Sequence, residues 1–385
     1  MRHFAFLDDI ELERLFLLEP ERFDAAADRD LLAVALGATL YSPATRPRLA
    51  EDIAKRAQAG VVSTVVCLED SVPDDELQAA ERNAIDQLRR YSAGNQDGPL
   101  IFVRVRAVEQ IATLVDGLGE HVGVLAGFVL PKFTAANGER YLQAVARASS
   151  RTGHPLRVMP VLESPEVTFV ESRRDALVAI RCLLDAHREQ VLAVRIGATD
   201  LSATFGLRRT RDVTVYDVRV IADVIADIVN IFGRDGAGYV ISGPVWEYFS
   251  GTERMFKPQL RVSPFIEHDE RRLRARLIAG DLDGLIREVT LDRVNGLTGK
   301  TVIHPSHVAA VHALAVVSHE AYLDATDVLG TRAGGGVASS AYGNKMNESK
   351  PHTAWAHRTM LRARAFGVAR EDVSFVDLLG ASLRL

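Results

Sequence analysis

The chain has 385 residues, 47% of them hydrophobic and 25% charged, with a formal net charge of −5. It can bury a large core, and it offers no basic footprint for nucleic acid. Two cysteines, Cys67 and Cys182, are too few and too far apart for a disulfide framework or a structural zinc site. Asp8, Asp9, Glu11 and Glu13 fall where a secretory leader needs its apolar centre, and no apolar run reaches membrane-spanning length; a cytoplasmic protein with no membrane partner is expected.

Short β-branched runs recur along the chain and end in small, polar or proline residues. In order they are ATLYS, VVSTVVCLE, LIFVRV, AGFVLP, RVMPVLE, LAVRIGATD, GYVISG and KTVIH, ending near Ser42, Glu69, Arg104, Pro131, Glu163, Asp200, Gly243 and His304. They read as buried parallel strands. Amphipathic stretches such as RDALVAIRCLLDAHREQ (174–190) separate most of them, so the pattern predicts an α/β fold, a (β/α)8 TIM barrel. A doubly wound sheet would need GxGxxG after the first strand, and none is present. Residues 1–319 are expected to form the barrel, with an N-terminal helical extension and a long insertion at about 245–289. Residues 320–385 are expected to be a C-terminal helical lid or oligomerisation segment, hinged at the glycine- and serine-rich stretch 330–345.

The strand ends carry a coherent set of polar residues. Glu69 and Asp70 follow the second strand, Arg104 ends the third, Lys132 follows the fourth, Glu163 ends the fifth and Asp200 ends the sixth. In such a barrel these positions share one rim, where active sites are built. Glu163 and Asp200, on adjacent units and without a thiol or imidazole partner, suit a hard divalent cation such as Mg²⁺. The alternative is that each caps the helix that follows. Arg46 and Arg48 after the first strand, and GLRRTRD (206–212) after the sixth, could meet a phosphate or a carboxylate. GLTGKT (296–301) is no P-loop, because Val294 stands where the first glycine belongs and a strand follows. His304 is expected to orient the rim, and Trp246, Tyr248 and Phe249 to pack.

Taken together, LYSPATRPRL (40–49), CLEDSV (67–72), VRV (103–105), LPK (130–132), VMPVLESP (158–165), IGATDLSATFG (196–206) and GKTVIHPSHVAAV (299–311) resemble the HpcH/HpaI aldolase and citrate lyase β-subunit family. GNKMNES (343–349) is similar to the malyl-CoA lyase branch, where this segment brings an acidic residue from a neighbouring subunit over the site. The resemblance implies Mg²⁺ on Glu163 and Asp200, and Arg104 on a substrate carboxylate or enolate oxygen. It implies Glu69 and Asp70 as the supporting acid pair, Glu348 as the general acid, and Arg46, Arg48, Lys132, Gly197, Ala198 and Pro305 as substrate-binding residues. The implied reaction breaks or forms a carbon–carbon bond between a keto acid and an acyl group, with coenzyme A as part of the substrate, in a homo-oligomer, a trimer or hexamer. Cys67, Arg106 and Glu348 stand where the family often has aspartate, asparagine and aspartate. The first two departures motivate a rival reading, a non-catalytic barrel acting as a binding or assembly subunit.

Overall fold

The computed structural model describes residues 1–94, 98–249, 282–330 and 336–383. Most of the insertion expected at about 245–289 therefore lies outside the described residues, as do 331–335 of the expected hinge. A short strand β1 (Phe16–Leu18) precedes the sheet. Parallel strands follow: β2 (Ala38–Pro43), β3 (Ser63–Cys67), β4 (Leu100–Arg104), β5 (Leu125–Leu130), β6 (Arg157–Leu162), β7 (Ala193–Ile196), β8 (Val240–Ser242) and β9 (Lys300–Val302). All eight are the runs read from the sequence. Each pairs with its neighbour in sequence from β2 to β8, β2 also pairs with β9, and a parallel bridge between Gly243 and Lys300 brings the last two edges together. Gly299 leads into this seam at φ +74°, and a Cβ there would stand 2.5 Å from the carbonyl oxygen of Gly37. The closing turn accepts only glycine without displacing the backbone.

Strand periodicity divides the core in two. In β4, Ile101 and Val103 join the layer between sheet and helices, with Leu114, Leu142 and Ile221, whereas Leu100 and Phe102 join the barrel interior, with Val65, Val129 and Met159. Continued by one step, the same alternation turns Arg104 inward at the strand's C-terminal end. The interior cluster continues through the N-terminal ends of the strands into Phe4, Leu12, Phe366 and Leu379. Both chain termini thus cover the end of the barrel opposite the candidate site.

The C-terminal region packs on that covered end. Helix Ser349–Phe366 lies against helix Arg29–Ala35, which leads into β2, and Arg358 Nη2 donates to the Gly233 carbonyl at 2.6 Å, in the approach to β8. Strands β10 (Val337–Ser339) and β11 (Met346–Glu348) form an antiparallel hairpin where the sequence suggested an open loop. Asn347 Nδ2 donates to Asp324 Oδ1 at 2.9 Å, and Lys345 Nζ reaches Asp324 at 2.7 Å and Glu320 at 2.6 Å, which fasten the hairpin to helix His319–Gly330. Finally, β12 (Val368–Ala369) pairs with β1. Among the described residues no helix is long and apolar enough to cross a membrane.

Candidate active site

Six of the residues singled out at strand ends meet above β3–β7. Arg104 Nη2 lies 2.7 Å from Glu69 Oε2, 2.9 Å from Glu163 Oε1 and 3.4 Å from Asp70 Oδ2. Lys132 Nζ lies 2.7 Å from Glu69 Oε1, 3.4 Å from Asp70 Oδ1 and 3.9 Å from Asp200 Oδ1. Four carboxylates face two cations, leaving two negative charges in excess. Glu69 and Glu163 are buried, so that excess is poorly screened by water.

Burial and the neighbouring Asp200 and Glu69 charges push the Glu163 carboxyl up to about 7, against the lowering effect of Arg104 and the Lys132 amide. Burial and the hydrogen bond shared with Asp70 raise the Glu69 carboxyl, while Asp70, held by that bond and by Arg104 and Lys132, stays below its ordinary value despite its own burial. Burial alone would lower both cations, yet the surrounding carboxylates hold Arg104 and Lys132 above their ordinary values. The cluster therefore favours one further positive charge, supplied as protons or as a metal ion.

Local backbone geometry explains how these groups come so close. Lys132 takes a left-handed φ of +46° after β5, a conformation that costs a non-glycine residue energy. In that turn its amide donates to Glu163 Oε1 at 3.0 Å, while Asn137 Nδ2 holds its carbonyl at 3.0 Å. Gly197 follows β7 with Glu163 pressed against it; a Cβ at 197 would lie 1.9 Å from Glu163 Oε2. The structure thus gives Gly197 a steric reason independent of substrate. Asp200 occupies the first turn of helix Ala198–Ala203, whose N-cap is Gly197 with no side-chain cap. Glu163 likewise caps nothing, since Ser164 is the N-cap of helix Pro165–Thr168. The capping alternative fails for both.

Other marked residues sit apart. Arg46 bonds Asp52 at 2.6 Å and, with Pro305, His304 and Tyr41, lines a cavity of about 150 Å³ at the β2–β9 seam. Arg48 is exposed beside Glu51, and Ala198 is buried as the first residue of its helix. Glu348 is exposed and its amide donates to His352 Nδ1 at 3.1 Å, with no described contact to the carboxylate cluster. Arg209 of GLRRTRD is buried against Glu288 and Glu247, so this arginine tethers the loop to helix Leu282–Val294. His304 stacks on Phe249 with ring centroids 4.7 Å apart, and its Nδ1 lies 2.7 Å from Ser306 Oγ.

Two arginines acquire roles that sequence reading did not assign. Arg106 grips the carbonyls of Glu69 (3.0 Å) and Val72 as well as Asp74, bracing the turn that presents the acid pair. Arg195 stands inside the barrel below the cluster, donating to the hydroxyls of Thr39 (3.3 Å) and Thr301 (2.6 Å), with its guanidinium 5.5 Å from the Tyr41 ring centroid. The signal for Arg195 was a cation at an inward position of an otherwise apolar strand.

The donor set fits magnesium. Mg²⁺ commonly takes one or two protein carboxylates and leaves other positions to water and substrate, and Glu163 and Asp200 supply that number beside an uncompensated negative field. Among the described residues no group of three or more His, Cys, Asp or Glu side chains forms a metal cage.

Comparison with known proteins finds the same barrel fold. The structure of CitE from Mycobacterium tuberculosis, in complex with magnesium, acetoacetate and coenzyme A, is 22% identical over 86% of this chain and 99% of that one, with a TM-score of 0.52. A citrate lyase β subunit from the same organism, complexed with oxaloacetate and magnesium, is 20% identical over 72% and 96%, with a TM-score of 0.43. Haloferax volcanii malate synthase, in a ternary complex with pyruvate and acetyl-CoA, is 14% identical over 75% and 70%, with a TM-score of 0.49. No curated protein matched the sequence. The model of the C–C bond lyases of the TIM-barrel fold matches residues 30–368, and this chain belongs to that family.

Proposed function

We propose that the protein is a Mg²⁺-dependent lyase or aldolase that cleaves, or in reverse forms, the bond between a keto acid and an acyl group carried as a coenzyme A thioester. The observation that carries this reading is the gathering of four carboxylates about two cations at the rim that holds Glu163 and Asp200. Those two residues would hold the metal, which when bound supplies Lewis acidity to the oxygens of the keto acid. Arg104, whose planar fork is already aimed into the site at 2.9 Å from Glu163, turns to a substrate carboxylate or enolate oxygen. Glu69 and Asp70 orient water and substrate, and Lys132 tunes them.

Protonation of the enolate is assigned to Glu348 of a neighbouring copy. Within one chain the C-terminal segment is packed on the end of the barrel where the strands begin, and among the described residues Glu348 makes no contact with the rim cluster. This assignment requires a homo-oligomer; a trimer or hexamer is the state the family resemblance implies, and the cytoplasm is its proposed location. The seam cavity lined by Arg46 and Pro305 is the proposed entry for the thioester's phosphates. The CitE of similar fold was solved with magnesium, acetoacetate and coenzyme A together, which supports the substrate class.

Calorimetric titration of Mg²⁺ and then oxaloacetate or glyoxylate, into wild type and Asp200→Asn, tests the reading. Keto-acid binding that needs both Mg²⁺ and Asp200 is expected; equal binding by the two proteins, with or without metal, would remove the metal site.

A further inference from the structure

A large cavity lies away from the carboxylate rim. It holds about 1160 Å³ at the opposite end, between the loops that enter β7, β8 and β9 and the C-terminal helices. Enzyme and ligand pockets for small organic molecules span about 300–1,000 Å³, so a nucleotide-sized guest fits. With strands of about five residues rising ~3.3 Å each, the two ends are ~16 Å apart.

Its lining is cationic. Arg29, Arg188, Arg234, Arg293, Arg358 and Arg362 face it, against the carboxylates Asp30 and Asp235. Arg29 is paired with Asp30 and Arg188 with Asp185. Neutral acceptors alone position three others: Arg234 donates to the Asn230 carbonyl at 2.6 Å, Arg358 to that of Gly233 at 2.6 Å, and Arg293 to that of Leu314 at 3.2 Å. None of these, nor Arg362, makes an ion pair among the described residues. Arg362 Nε is shielded from solvent and has no hydrogen-bond partner. Burial and the charge of Arg293 hold the Arg362 guanidinium down to about 10, so the two arginines repel each other in a partly dry space.

A fold gains nothing from gathering unpaired guanidinium groups around a void. A multivalent anion in that void would satisfy them, and guanidinium forks match phosphate oxygens bidentately. Much of the rest of the wall is apolar or aromatic: Leu361, Leu378 and Phe375 line it, with Tyr239 and the exposed Trp355, beside hydroxyls such as Thr298 and Ser374. Such surfaces take a planar ring.

From this lining we infer that the barrel's covered end is a second ligand site, taking a phosphorylated small molecule with a ring body, of the nucleoside polyphosphate class. The site is independent of the proposed chemistry at Glu163 and Asp200, and binding there adds a ligand that the lyase reaction does not consume.

The test is calorimetric titration of ATP, pyrophosphate and inorganic phosphate into the full chain, in EDTA to exclude metal-dependent binding at the rim. ATP should bind, and bind about tenfold or more tighter than pyrophosphate, because one ring stacked on an aromatic is worth that much. The double variant Arg293→Gln/Arg362→Gln should weaken ATP about 10–100-fold, the usual loss for charge-assisted hydrogen bonds, and should melt no lower than wild type without ligand, because it relieves repulsion. Arg358→Ala, on the cavity rim, should weaken ATP in the same direction. ATP should also change tryptophan emission in wild type and not in Trp355→Phe. Asp200→Asn must keep ATP binding, which separates this site from the rim. Absence of ATP binding, equal affinity for pyrophosphate and ATP, or unchanged affinity in both arginine variants would each overturn the assignment.

Discussion

The two ends of the barrel are opposites. At the C-terminal ends of the strands, four carboxylates crowd two cations; at the other end, six arginines line a void with two aspartates. The first set is fixed by strand ends and the turns that follow them, within a tightly packed scaffold. The second is assembled from segments far apart in sequence, helix Arg29–Ala35, the approach to β8, and the C-terminal helices. Charge excess of one sign needs a counter-charge at either end, but only the rim places reactive geometry around it. The lesson is that unneutralised charge marks a ligand, and the surrounding groups decide whether chemistry follows.

The comparison can be broken most severely at the rim. Asp200→Asn removes one of the two proposed metal ligands and should lower Mg²⁺-dependent turnover about 10³-fold, the scale of losing metal charge stabilisation. Because Asp200 is part-exposed and caps no helix, its melting temperature should shift little; full activity in this variant would end the metal assignment. Glu348→Gln should cost about 10²-fold or more, the ordinary contribution of a general acid, with Mg²⁺ affinity unchanged. Mixing it with Asp200→Asn under conditions of subunit exchange should restore part of the activity. Mixtures as inactive as their components would refute a site shared between copies.

Smaller effects sharpen the contrast. Gly197→Ala pushes a methyl against Glu163 and should weaken Mg²⁺ about 10–100-fold through a displaced ligand. ATP binding at the other end should not change. At the covered end, acid acts on stability instead of catalysis. His3 is buried beside His312, with burial holding the first down to about 4 and the second well below its ordinary 6.5. The unfolded chain takes up these protons near 6.5 and the folded chain does not, so their contribution is complete above that pH and is lost as pH falls toward 4. Chemical denaturation from pH 7 to 4 should show this slope, and His3→Phe should flatten it; an unchanged slope would exclude His3 as its source.

How much of this was legible follows from where the information lies. The strands were readable because parallel buried strands are near-continuous β-branched runs, and Arg104, Glu163 and Asp200 were readable because they end such runs. The hairpin Val337–Glu348 was not, since its residues carry no alternation and are held by Asp324 and Glu320 from another element. Arg106 looked like a departure and proved to be a brace for the Glu69 turn. Gly197 was marked for substrate, whereas its first visible reason is the carboxylate against it. The cavity arginines are scattered from 29 to 362, so only the fold could gather them.

Lys132 joins the two acid pairs by separate means, its amide to Glu163 and its ammonium to Glu69. Because its backbone is left-handed, glycine is the substitution that keeps the first link while deleting the second. Alanine would delete the second link too, but it keeps the Cβ that makes this backbone costly, so glycine is the cleaner choice. One codon therefore offers a genetic separation of shape from charge, and a family member with glycine at this turn would be a natural version of that experiment.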